Sequence, residues 1–130
     1  MLLPGGVPVA SLDVEFVNLR SAKGVLRICL TADPADFPDC RSAAGAIKRT
    51  VSAASPRLRI EGLAPGDYAI AVIHDANGNS RLDTLLGIPR EGFGFSRNPA
   101  IGFGPPRFSA ARFTVGTGTE KQQVRIRYLL

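Results

Sequence analysis

The chain has 130 residues, 45% of them hydrophobic and 21% charged. That length fits one domain and suffices to bury a core, so metals and disulfides are accessories rather than necessities. No window approaches the run of about 18 apolar residues that crosses a bilayer as a helix, and the net charge of +5 includes no Lys/Arg-rich run of the kind that coats nucleic acid.

The basic excess is uneven: residues 1–40 carry three basic and five acidic side chains, residues 41–130 thirteen and six. Arg57, Arg59, Arg125 and Arg127 alternate with apolar neighbours, which puts them on the solvated face of strands. Neither a nucleic-acid partner nor a transmembrane segment is expected.

In chain order, the opening "MLLPGGVPVA" is too short for a signal peptide and lacks its cationic start. Its leucines and small residues resemble the end of an apolar signal region and its cleavage zone. Residues 1–10 are therefore expected to be a signal remnant or a disordered end, and residues 11–130 one domain. Leu12–Leu19 alternates, with Val14, Phe16 and Asn18 against Asp13, Glu15 and Val17, and reads as a strand. Gly24–Ala32 alternates likewise. There Leu26, Ile28 and Leu30 share one face, and Arg27 and Cys29 the other.

Cys40 ends the loop "DPADFPDC". An outward strand cysteine and a loop cysteine can be bridged if the loop folds back; an oxidising compartment favours that, and a reducing one leaves two unrelated thiols. The pair lacks the clustered ligands of a zinc site. "DCRSAAGAIK" can form at most a helical turn, because Gly45 opposes a long helix.

Ile47–Ala53 is a weaker strand and Arg57–Leu63 a clean one. "LAPGDYAI" turns at Pro65-Gly66 and feeds the most apolar run, Gly66–Asp75, which reads as a central strand buried on both faces. Tyr68 can bury its ring and anchor its hydroxyl. Ala111–Thr117 and Gln122–Leu129 close the chain, with Val124, Ile126 and Tyr128 inward. About seven short strands with Gly/Pro/Asp turns predict an all-β fold, an antiparallel sandwich of immunoglobulin-like or transthyretin-like type.

Some 30 residues separate His74 from Arg107, longer than the roughly 12–15 of ordinary connections, and such loops are often functional. With Asp75 as position 1 of a calcium loop, Asn77, Asn79, Arg81 (through its carbonyl) and Asp83 fall at positions 3, 5, 7 and 9. The match fails at position 6, which is Ser80 rather than glycine, and at position 12, which is Leu86 rather than glutamate. This is not an EF-hand. Either calcium or a metal-free, hydrogen-bonded turn accounts for it, and Glu91 completes a cation site only if the chain folds back.

His74 before Asp75 suggests an oriented imidazole. However, the chain has one histidine, no placed nucleophile and no nucleophile elbow, since Ser96 lies in "GFSRN" rather than G-x-S-x-G. An enzyme centred on His74 is the least favoured reading. Phe93 and Phe95 alternate with glycines and point to one side. They either cap the sandwich end or, with Phe103 of "GFGPP", form a platform for a sugar or peptide.

The stretches "HDANGNSRLD" and "GIPREGFGFSRN", followed by "GPPRF" and "ARFTV", together resemble the bacterial family called domain of unknown function 2141. The matching residues run from His74 to Asp83, then through Gly87, Pro89, Glu91, Gly92, Phe93, Gly94, Phe95, Ser96 and Asn98, and Asn98 joins His74 and Glu91 as a loop ligand candidate. Leu85 departs from the polar residue many relatives carry there. The resemblance implies a β-sandwich in exported bacterial proteins, periplasmic or extracellular, without established activity. Export in turn favours the Cys29–Cys40 bridge. The expectation is a non-catalytic structural or binding module for a cell-envelope or extracellular ligand, with calcium or no cofactor.

Overall fold

The computed structural model describes residues 10–41, 45–78, 84–85, 88–89, 91–102 and 104–129. Asn79, Arg81, Asp83 and Phe103, and the first nine residues, lie outside them. The strands are β1 Ala10–Val17, β2 Val25–Thr31, β3 Ile47–Ser52, β4 Arg57–Leu63, β5 Gly66–Asp75, β6 Thr84–Leu85, β7 Ile88–Pro89, β8 Gly92–Phe95, β9 Phe113–Val115 and β10 Gly118–Arg125. A 3-10 turn covers Pro34–Asp36, and one short helix, α1, covers Phe108–Ala111.

The protein is an all-β sandwich. One sheet has the order β10-β1-β4; the other has β3-β2-β5-β8, with β9 also on β5; β6 and β7 form a small ladder of their own. Alternation explains the core between the two main sheets. Leu12, Val14 and Phe16 of β1 face Leu26, Ile28 and Leu30 of β2 and Tyr68, Ile70 and Val72 of β5; Ile60, Val115, Val124 and Ile126 fill in around them. Each such side chain removed from water contributes about 1.5–3 kcal/mol before ordering costs. The Tyr68 hydroxyl donates to the Ala64 carbonyl at 2.6 Å, so its ring is buried without stranding a polar group. β5 is buried on both faces, as its composition predicts: Ala69 and Ala71 enter a second apolar cluster outside the five-stranded sheet.

Several details depart from the sequence reading, the last strands among them: Ala111 ends α1, β9 covers Phe113–Val115 and β10 starts at Gly118. Strand β10 runs parallel to β1, in the register Ala10↔Gly118 to Val17↔Arg125, so the sandwich is not purely antiparallel. Asn18 does not continue the inward row: it turns out of β1 at φ 70°, and its amide donates to the Ile126 carbonyl at 2.8 Å. The glycine-rich stretch is no plain loop, because Gly92–Phe95 is a strand paired with Ala71–His74 of β5.

The two sheets are also joined at one side. Phe93 N–H donates to Arg127 O at 3.0 Å, and Arg127 N–H donates to Phe93 O at 2.8 Å. This contact explains two of the glycines. A Cβ on Gly92 would lie 2.4 Å from the Tyr128 ring, and one on Gly94 would lie 2.7 Å from the Arg125 carbonyl oxygen.

Candidate functional site

The residues singled out in the sequence divide among three places. The first is the end of β5. His74 is buried, and the carbonyl of Lys23 accepts from its Nε2 at 2.8 Å. A carbonyl can only accept, so Nε2 carries the proton and, in the neutral ring, Nδ1 accepts from the Tyr128 hydroxyl at 2.8 Å. Tyr128 in turn accepts from the Arg20 backbone N–H at 3.1 Å and lies under the Arg20 guanidinium, 4.3 Å from the ring centre. Both imidazole nitrogens are therefore spent on holding the β1–β2 turn and the chain beyond β10 to β5. Nothing in the local sequence announces Tyr128 as the partner, 54 residues away.

Burial raises the Tyr128 hydroxyl above its ordinary value of 10.0, partly offset by Arg20, and burial raises Tyr68 in the same direction. The folded chain thus holds these protons more tightly than the unfolded one. The stabilisation is complete below the unfolded value and is lost as pH rises through the folded value. The melting temperature is expected to fall on the alkaline side of about pH 10. Tyr128→Phe should shrink that dependence while lowering stability at neutral pH; a pH profile unchanged by the substitution would exclude Tyr128 as a source.

The second place is the start of the oxygen-rich loop. Asp75 is fully buried, and its Oδ2 accepts from Arg27 Nε at 2.8 Å. Asn77 is exposed. Of the expected cation ligands these two lie among the described residues, and Asn79, Arg81 and Asp83 do not. Glu91 is buried immediately before β8. Among the described residues, no three His, Cys, Asp or Glu side chains gather as a metal cluster. Asp75→Ala would leave the Arg27 charge without this partner. Because Arg27 keeps 36% exposure, the expected loss is about 1–3 kcal/mol rather than the 3–5 of a fully buried pair. Denaturant titration in calcium-free buffer measures it.

The third place is the outer face of the five-stranded sheet. Cys29 and Cys40 form a disulfide with Cα atoms 5.7 Å apart, and it draws the loop after the 3-10 turn back over the sheet. Phe37 meets Phe95 edge-on, ring centres 5.9 Å apart, and also meets Phe108 at 6.1 Å. Phe93 and Phe95 point to one side, as their spacing predicts, with ring centres 6.1 Å apart. They lie on the face of the sheet rather than capping the sandwich end, because β8 is a strand and its glycine side is the one against β10.

Register gives this face its pattern. One row across the strands reads Thr50–Arg27–Ile73–Phe93, and the next reads Lys48–Cys29–Ala71–Phe95. Both run from polar or basic at β3 to aromatic at β8. They floor a groove of about 860 Å³, whose lining also includes Pro38, Asp39, Cys40, Ile101, Gly102, Pro105 and the exposed Leu129. Sequence periodicity assigns each residue to a face, but the rows depend on long-range register, so no single segment shows the groove.

Two further residues of the stretch that carries the family resemblance hold the fold together. Strands β8 and β9 share one edge of β5, and the fully buried Ser96 fills the gap between them. Its hydroxyl accepts from Ile70 N–H at 2.9 Å and donates to the Ala111 carbonyl. Asn98, a ligand candidate by sequence, instead clamps β10: Oδ1 accepts from Arg125 N–H at 2.8 Å and Nδ2 donates to the Gln123 carbonyl at 3.1 Å.

Among the described residues, no helix is long and apolar enough to cross a membrane. Neither a curated protein nor a solved structure matches the chain. The family described as "Uncharacterized protein conserved in bacteria (DUF2141)" matches residues 14–123, which run from β1 into β10. The chain belongs to that family.

Proposed function

We propose that the chain is a non-catalytic binding module of an exported bacterial protein, with the outer groove of the five-stranded sheet as its site. The observation that carries this reading is the groove itself: an open concavity with Ile73 and Phe93 on its floor. Pockets of this size, mostly apolar with a few placed polar groups, are the usual form of ligand sites. The Cys29–Cys40 disulfide supports an oxidising compartment, periplasmic or extracellular. The commitment of both His74 nitrogens to structural hydrogen bonds supports a non-catalytic role.

Of the two ligand classes suggested by the aromatics, a carbohydrate is the poorer fit. The chain has no tryptophan and two tyrosines, and both tyrosine hydroxyls serve the fold. Calcium at the Asp75 loop is a weaker reading than the groove, because Arg27 already supplies a counter-charge to Asp75. It predicts a rise in melting temperature with calcium that a chelator reverses.

The neutral dye Nile red tests the groove without presupposing a ligand. Saturable one-to-one binding with blue-shifted emission is expected in the native protein. Ile73→Glu should abolish it with little change in melting temperature, because this side chain is only half-buried on the outer face. Dye binding that survives Ile73→Glu would remove the groove as the site.

A further inference from the structure

We propose that the groove takes a single-chain anionic amphiphile, a long-chain carboxylate, with its head at Lys48 and its acyl chain laid across β2 and β5 towards Phe93 and Leu129; this rests on the groove being the binding site. The charge around the site is not balanced. Arg27 is paired with Asp75, and Asp39 lies 3.3 Å from Arg41. Lys48, on the groove face of the edge strand β3, makes no ion pair with any described acidic residue. The basic end of the groove therefore has an excess of positive charge, next to the Thr50 hydroxyl, and complements an anion.

The opposite end carries no such group. Passing from β3 to β8, the rows lose their polar side chains and end on Ile73, Phe93 and Phe95. Leu129 extends the apolar strip and is 53% exposed, the one large hydrophobic residue left so open among those described. Three strand spacings separate β3 from β8, roughly 14 Å, the length of an extended acyl chain of about ten to twelve carbons. A sugar leaves this apolar half unused, and a short anion leaves it in water. An amphiphile with one negative end satisfies both halves.

Displacement of Nile red from the full chain by three probes tests the proposal. Dodecanoate, below its micelle concentration, is expected to displace the dye at least about tenfold more tightly than dodecan-1-ol, the gain from one charge-assisted contact. Butyrate, with the charge but not the chain, should not displace it. Lys48→Ala should bring dodecanoate down to the level of the alcohol, and Lys48→Arg should restore the difference. Equal displacement by dodecanoate and dodecan-1-ol, or a dodecanoate affinity indifferent to Lys48→Ala, would overturn the carboxylate ligand and leave the groove as a binding site for another class. Failure of Nile red to bind the native groove would instead overturn the binding-site reading beneath it.

Discussion

Gly94→Ala is expected to lower stability by about 2 kcal/mol or more, which for a chain of this length corresponds to a melting temperature roughly 8 °C lower. The added methyl would sit 2.7 Å from the Arg125 carbonyl oxygen and 3.0 Å from a Val124 methyl. The first of these is backbone, held by the β1–β10 ladder on its far side, so it cannot step aside as a flexible side chain does. To accommodate the methyl, β8 must move away from β10. That strains the paired hydrogen bonds between Phe93 and Arg127 and the Asn98 clamp beside them. A cheaper outcome, with a melting curve unchanged within about 1 °C, would mean that the joint between the sheets is loose. Gly102 offers the control: a Cβ there meets nothing within 4 Å, so Gly102→Ala should be close to neutral.

The second large effect belongs to the disulfide. Replacing Cys29 and Cys40 together by serine is expected to cost about 2–4 kcal/mol, the usual range for a bridge in a domain of this size. The substitution also buries two hydroxyls where the bridge now packs among Ala69, Ala71, Phe95 and Ala111. Chemical denaturation of the oxidised protein against the double variant measures it, and intact mass with and without reductant verifies the bridge. If the groove is the binding site, the double variant should also lose Nile red affinity, because Pro38 and Cys40 line one wall. Gly94→Ala and the cysteine pair lie on opposite faces of the five-stranded sheet, so their effects should be close to additive.

How much of this was legible in the sequence follows from the range over which each feature is specified. The alternation of Leu12–Val17, Val25–Leu30 and Arg57–Leu63 is local, and these strands fall where it places them. The outward direction of Cys29, hence its availability to Cys40, is local too. Strand β8 was hidden because glycine is a poor strand former by propensity. Gly92 and Gly94 are there for the close approach of β10, and that neighbour lies some thirty residues downstream. Strand β10 begins earlier than its apolar pattern suggests. Thr119, Lys121 and Gln123 face solvent, and the early part is held by pairing with β1 rather than by burial. The site was half legible. Phe93 and Phe95 were recognisable as a pair on one side. Their alignment with Ile73, Arg27 and Thr50 depends on three separate strand registers, none of which is written in any one segment.

The parallel pairing of β1 with β10 has a kinetic consequence. Ala10 meets Gly118, and every other rung of that ladder joins residues equally far apart in the chain. A ladder of this kind forms only after a very long loop has been closed, and folds dominated by such contacts complete in milliseconds to seconds rather than microseconds. Until β10 is present, β1 has only β4 beside it and β8 lacks its backing. A chain in which residues 118–125 are not yet in place therefore cannot complete the three-stranded sheet, and the core side of β1 stays incompletely covered until they arrive.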